Sequence, residues 1–429
     1  MKLIDRDFYL NRLQELKDVP DIKVITGIRR SGKSKLLDAF SSRIQQDANA
    51  NVIRINLNQK KYQKLLEEDA LYNYIEEHCV EGKSNYLFVD EIQLCNGFER
   101  VINSIHDEEL CDIYVTGSNA FLLSSDLATL FGGRVFEISM YPFSFAEFCK
   151  YYSKTDNDEN YIDKSDIDKY FDEYYVRGGM PGSYLYNKDY DARKYVEGIY
   201  RTTIVKDIVQ KYGIENEDLL VMIANFLMDN VGNCTSIRNV ASVLTSKTYK
   251  TNDKTVGAHI SYLCKSFMFY PIQRYDIKGK RYLESDKKYY LADLSFRFSE
   301  LGTRYSDVGH LYENLVAIEL LRRGYEVYVG KLYTKEIDFV AKKDGKLTYI
   351  QVSDDISRDE TFEREISPLL SIKDAYPKMI IARTRHDEME KDGVKIVDIA
   401  RWLYERWFGL NARNKAILFL YYSSLSHMV

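Results

Sequence analysis

A chain of 429 residues exceeds one ordinary domain and predicts about two to four of them. Hydrophobic residues at 45%, charged residues at 29% and only six prolines exclude a disordered, collagen-like or low-complexity chain. The net charge of −5, from 60 basic and 65 acidic residues, neither requires nor forbids a nucleic-acid partner. No apolar run approaches the roughly 18–20 residues of a membrane span. Charges interrupt the start, M-K-L-I-D-R-D-F, where a secretory leader carries its apolar stretch, so a cytoplasmic location without a membrane partner is expected. The six cysteines (Cys79, Cys95, Cys111, Cys149, Cys234 and Cys264) form no C-x-x-C pair, which points to free thiols rather than a zinc site. Tyrosine occurs 36 times, runs through the whole chain and marks no single site.

In chain order, short β-branched runs at 22–26, 51–57, 86–90, 111–116 and 134–140 alternate with helical patterns such as 35–46 and 98–107. Strands alternating with helices predict a largely parallel sheet covered on both faces. Residues 155–175 carry eight acidic and two basic side chains and are expected to be a solvated insertion. G-G-M-P at Gly178 to Pro181 reads as a turn, and 192–230 as helical. Helical segments at 217–229, 236–245 and about 254–268 precede a strand–turn–strand around Gly279, a winged-helix pattern. Between 234 and 290, eleven basic residues face four acidic ones, so the near-neutral total conceals a strongly basic segment. From about 308 the pattern runs helix, three strands, helix, then an apolar strand at 378–383. The tail 402–429 is apolar but broken, and a docked helix is expected there.

Residues 27–34, G-I-R-R-S-G-K-S, match G-x-x-x-x-G-K-[ST] at every fixed position, between a predicted strand and a predicted helix. In such a loop Gly27 and Gly32 permit a backbone that turns N–H groups, with those of Arg29, Arg30 and Ser31, toward phosphate oxygens. Lys33 is placed to reach the β- and γ-phosphates of ATP, and the Ser34 hydroxyl to bind Mg²⁺. Arg29 and Arg30 are expected on phosphate or on a partner. The run Y-L-F-V-D-E places Asp90 beside the loop as a water-mediated Mg²⁺ holder and Glu91 as the group that orients the attacking water. T-G-S-N, with Ser118 and Asn119, either senses the γ-phosphate or caps the next helix. Arg134 either reaches the nucleotide of a neighbouring subunit or makes a surface ion pair.

These motifs resemble the AAA-type P-loop ATPases of bacteria and archaea that carry a C-terminal domain of uncharacterised function. The resemblance rests on I-T-G-I-R-R-S-G-K-S, F-V-D-E-I-Q, T-G-S-N, P-F-S-F-A-E-F, G-G-M-P, and E-I-D-F-V with Y-I-Q-V-S, and covers nearly the whole chain. It implies an ATPase core at 1–148, a helical lid with the acidic insertion at 149–215, a winged helix at 216–300, a restriction-endonuclease-like α/β domain at 301–400 and a tail at 401–429. It also implies a homo-oligomer, with Arg134 acting in trans.

The C-terminal segment looks like the endonuclease fold whose site reads D…(E/Q)-x-K. Glu313, Asp338 and Gln351 fit the ligand positions, but Ser353 stands where the lysine belongs. Serine supplies no cation, so a degenerate site is expected, unless Lys342, Lys343 or Lys346 substitutes in space. The expected function is Mg²⁺-dependent ATP hydrolysis coupled to the C-terminal modules, with DNA engaged through the basic winged helix. The alternatives are a nucleotide-controlled switch for protein partners and an active nuclease.

Overall fold

The computed structural model describes residues 4, 6–117, 129–152, 164–246, 251–302 and 307–404. The chain divides into two compact units, the first comprising 1–142, 180–224 and 257–269 and the second 143–179, 225–256 and 270–429.

The first unit holds β1 (Ile22–Thr26), β2 (Ala50–Asn56), β3 (Ser84–Asp90), β4 (Asp112–Thr116) and β5 (Val135–Ser139). Among the described residues these form a five-stranded sheet in the order β2-β3-β4-β1-β5, and each recorded pairing is parallel. Side chains of a strand alternate between faces, so a sheet covered on both sides needs apolar residues at successive positions. β3 shows this directly: Leu87 and Val89 enter one core, Tyr86 and Phe88 the other. The helices Lys33–Ile44 and Phe98–Asp107 lie close to the expected spans, and they cover opposite faces.

Several tyrosines find their place here. Tyr86 and Tyr114 are buried rings whose hydroxyls reach Asp18 and Asp112, each at 2.8 Å. A buried Tyr needs such a polar partner for its hydroxyl, and the acidic chain supplies it.

The second unit holds, from its second residue on, β6 (Phe269–Asp276), and then β7 (Arg281–Leu291), β8 (Glu326–Leu332), β9 (Lys335–Lys343), β10 (Lys346–Ser353), β11 (Lys378–Ala382), β12 (Met389–Lys391) and β13 (Val394–Asp398). They form one sheet in the order β12-β13-β11-β10-β9-β8-β6-β7. β8, β9 and β10 run antiparallel, and β11 then returns parallel to β10 after the helix Asp359–Leu370. The expected hairpin around Gly279 is present as β6 and β7, and β6 pairs with β8, which builds it into the C-terminal sheet. A bridge from Thr235 to Lys287 gives β7, which ends the sheet order beside β6, a short second partner.

The reading of 155–175 as a solvated insertion is corrected over its second half. Residues Lys164–Arg177 form a helix that buries Ile167, Phe171 and Tyr174. The spacing i, i+4, i+7 is a helical stripe that the dense carboxylates between them obscure. One of those carboxylates, Asp168, meets Arg383 at 2.8 Å.

The P-F-S-F-A-E-F and G-G-M-P segments meet within this unit. Ser144 and Glu147 form a reciprocal capping box before the helix Phe145–Tyr152, at 2.8 and 3.1 Å. Phe143 N–H donates to Gly179 O at 2.7 Å, and a Cβ on Gly179 would lie 2.2 Å from Phe143 O. Gly179 N–H donates in turn to buried Asp293 at 2.6 Å, so these motifs serve packing.

Candidate nucleotide-binding site

The loop after β1 turns sharply because two glycines adopt positive φ, Gly27 at 135° and Gly32 at 106°. A Cβ on Gly27 would stand 2.1 Å from Met140 O, so no other residue fits. The helix beginning at Lys33 aims its N-terminal N–H groups into the loop. Lys33 is buried, and its Nζ donates to the carbonyls of Gly27 at 2.8 Å and Ile28 at 3.0 Å. Burial pushes its pKa down to about 8, against the pull of Glu91 and Asp90. The Ser31 hydroxyl is buried in the loop and finds no hydrogen-bond partner among the described residues.

The strand order places β4 between β1 and β3, and the carboxyl ends of all three meet at this loop. Ser34 Oγ donates to Asp90 Oδ1 at 3.0 Å, and Thr116 Oγ1, at the end of β4, donates to the same oxygen at 2.5 Å. Asn56 donates to the other carboxylate oxygen at 2.7 Å. Asn56 lies opposite Asp90 in the β2–β3 register, so a polar residue ending β2 was its only signal in the sequence. Burial raises the Asp90 pKa, opposed by the hydrogen bonds from Thr116 and Ser34. Glu91 follows with φ 58° and ψ 49°; its N–H donates to Thr116 Oγ1 at 3.1 Å, and Gln93 donates to its carboxylate at 2.5 Å. A non-glycine residue in the left-handed region is held there by its surroundings.

Of the loop arginines, Arg30 is exposed with φ 66°, while Arg29 turns to Asp207 with two hydrogen bonds of 3.0 and 2.8 Å. Asp207 is buried in Thr203–Gln210, a π-helical segment directly following the helix Asp189–Thr202. Sequence reasoning missed it, because nothing local separates this aspartate from others. Arg134 is half exposed and ion-paired with Asp107 within the same unit, the surface-pair alternative in this conformation. Ser118 and Asn119 lie outside the described residues.

In the second unit the structure brings Glu313 and Asp338 to a residue the sequence did not single out, Lys288 of β7, while Gln351 bonds to Asp338 rather than to the lysine. Its ammonium is buried 2.8 Å from Glu313, 2.9 Å from Glu336 and 3.9 Å from Asp338. Tyr290 donates to Glu313, and Val352 N–H to Asp338 at 2.8 Å. Gln351 accepts from Asp338 N–H at 2.8 Å and donates to Glu365 at 3.0 Å. Burial raises Asp338 well above the ordinary carboxyl range, with Lys288 pulling the other way. Of the three lysines offered as the exception to a degenerate site, Lys342 pairs with Glu326 and Lys343 with Arg323 O, while Lys346 is exposed at the start of β10. Among the described residues no group of three or more His, Cys, Asp or Glu side chains is placed to hold a metal ion.

A parallel sheet with this strand order, the glycine loop and the Asp90–Glu91 pair define an AAA-type P-loop ATPase fold, and residues 19–149 match the AAA domain family. Residues 168–307 match a domain of unknown function (DUF8612). An uncharacterised protein of Haemophilus influenzae is 35% identical over 406 residues, covering 94% of this chain and 99% of that protein. The chain belongs to the family of that protein. An uncharacterised protein of Methanocaldococcus jannaschii is 28% identical over 367 residues, covering 83% and 80% of the two chains. The Orc1 protein of Aeropyrum pernix, solved in complex with DNA, superposes with a TM-score of 0.30 at 12% identity over 75% of this chain and 94% of its own. No helix among the described residues is long and apolar enough to cross a membrane.

Proposed function

We propose that the chain binds ATP with Mg²⁺ and hydrolyses it, and that nucleotide state is passed on through Asp207 and its helix. The observation that carries this reading is the shared hydrogen bond between Ser34 and Asp90 beside the buried Lys33. The donor set fits: a hydroxyl and a carboxylate are hard oxygen ligands for Mg²⁺, and the orphaned Ser31 hydroxyl faces a loop built for phosphate. Mg²⁺ bound there supplies charge neutralisation for the phosphates. Loop N–H groups cradle the phosphates, and Lys33 leaves its two carbonyls to meet them. Glu91, directed by Gln93 and Thr116, orients water for attack. Arg134, released from Asp107, would serve the site of a neighbouring subunit in a homo-oligomer.

The three helical segments and the β6–β7 hairpin support a winged-helix reading of 216–300, and its basic charge supports engagement with nucleic acid. For the C-terminal segment, the order helix, three antiparallel strands, helix, parallel strand supports a nuclease-like fold, and the Lys288 ion pairs favour a degenerate site over an active one. The Arg29–Asp207 pair also favours the reading as a nucleotide-controlled switch acting on protein partners.

ATP turnover of the wild type and of Glu91→Gln, with and without DNA and alongside native mass, tests the proposal. Glu91→Gln is expected to bind ATP and turn it over about a hundredfold more slowly. Normal turnover in that variant would overturn the role of Glu91. Turnover indifferent to DNA, with an ATP-dependent change of mass, would favour the switch.

A further inference from the structure

The turn joining β6 to β7 and the turn joining β8 to β9 lie side by side. β6 and β8 run parallel with Asp276 opposite Lys331, and Ile277 N–H donates to Lys331 O at 3.0 Å, so both strands end at the same edge. The first turn carries Lys278, Lys280 and Arg281, all exposed. The second carries Tyr333, 65% exposed, with Lys278 Nζ 4.7 Å from its ring centroid. Next to them Tyr282, 54% exposed, begins a cluster with Tyr328 at 5.0 Å and Tyr275 at 5.7 Å between ring centroids. Two nearby acids with described side chains are engaged: Asp276 by Gly279 N–H at 3.0 Å and Arg281 at 3.5 Å, Glu326 by Tyr328 and Lys342.

We propose that these adjoining turns bind single-stranded nucleic acid, with Tyr282 and Tyr333 as stacking platforms and Lys278, Lys280 and Arg281 on the phosphates. The inference deepens the reading of nucleic-acid engagement above and rests on it, while fixing the surface and the form of the ligand. A ring exposed over more than half its area gains most from an unpaired base, whose face is open; in a duplex that face is already stacked. Tyrosine suits the task because its ring is large and rigid, and the neighbouring rings hold Tyr282 in place. The cations stand within reach of a backbone that passes over both turns, and a net positive edge attracts it in a salt-dependent way. Among the described residues, these two rings stand outward beside the exposed cations Lys278, Lys280 and Arg281 of the basic segment.

The test uses the full chain without nucleotide, and fluorescence anisotropy with labelled oligothymidylate and oligouridylate of about twenty residues. A duplex of the same length is the third arm. Both single strands are expected to bind more tightly than the duplex, with affinity falling as salt rises. Preference for one of them tells whether DNA or RNA is the source. Tyr282→Ala with Tyr333→Ala is expected to weaken binding about tenfold or more, and the two Phe replacements to retain it. Replacing Lys278, Lys280 and Arg281 by Ala should lower the slope of affinity against salt by about two. Unchanged affinity in the Ala pair, duplex binding equal to or tighter than single-strand binding, or no binding in any arm overturns the proposal. ATP turnover of these variants without nucleic acid is expected to equal wild type; loss of turnover in the wild type would instead defeat the ATPase reading and leave the surface standing.

Discussion

Arg29 of the phosphate loop and Asp207 of the π-helical segment are joined by two hydrogen bonds across 178 positions of sequence. The guanidinium fork and the carboxylate match bidentately, and Asp207 is almost fully buried while Arg29 is 30% exposed. The loop proposed to meet phosphate is thereby tied to a helix outside the sheet.

Asp207→Asn keeps the shape and removes the charge, so it tests the tie. We predict a loss of about 1–2 kcal/mol in stability without nucleotide, since the pair is partly solvated on the arginine side. The ATP-induced rise in melting temperature should change in size, because Arg29 is then free to meet phosphate in either state. An identical ATP-induced rise in variant and wild type would show that the pair is only structural.

The lowered pKa of Lys33 predicts proton uptake on ATP binding. In the nucleotide-free chain burial favours the neutral amine, with a midpoint of about 8. Phosphate favours the ammonium and raises that midpoint, so binding takes up a proton above about pH 8. Affinity should therefore fall by up to about tenfold per pH unit above that value, and not respond to this group below it. Calorimetry in two buffers of different ionisation enthalpy reads the uptake directly. Equal heats at pH 9 would contradict it.

Removing Lys288 should be far more damaging than removing an exposed lysine. Lys288→Met leaves Glu313, Glu336 and Asp338 facing one another without their cation, and a loss of about 3–5 kcal/mol is expected at neutral pH. The sign of the pH dependence follows from Asp338, whose folded pKa lies above the unfolded value because it is buried. It binds a proton more readily in the fold, so the variant gains stability as pH falls and loses it as pH rises from about 4 to the folded pKa of Asp338. Chemical denaturation between pH 5 and 8 measures this. A variant whose stability rises with pH over that window would refute the arrangement.

Two glycines should respond oppositely to alanine. Gly27 has φ 135° and a Cβ there would lie 2.1 Å from Met140 O, so Gly27→Ala should cost several kcal/mol and abolish ATP binding. Gly198 lies within the helix Asp189–Thr202 with nothing within 4 Å of a Cβ. Gly198→Ala should be stabilising by about 0.5–1 kcal/mol in thermal or denaturant unfolding.

The sequence alone determined the loop Gly27 to Ser34, the Asp90–Glu91 pair and the strands on which they sit. Each is local: a glycine turn, an apolar run and an acidic end can be read within about ten residues, because period and backbone chemistry write them there. The same holds for the helix at 98–107, whose expected bounds match the structure. Residues 155–175 misled because carboxylates hid the stripe of Ile167, Phe171 and Tyr174, which becomes evident only when a core collects it. Asn56, Asp207 and Lys288 were invisible for a different reason. Their meaning lies in partners 34, 178 and 25 positions away, and strand register or helix packing chooses such partners. The composition that opened the reading settled a folded, multidomain chain. Only tertiary structure decided where its charges and tyrosines went, because burial forces each charge and hydroxyl to find a particular partner, and no local rule names that partner.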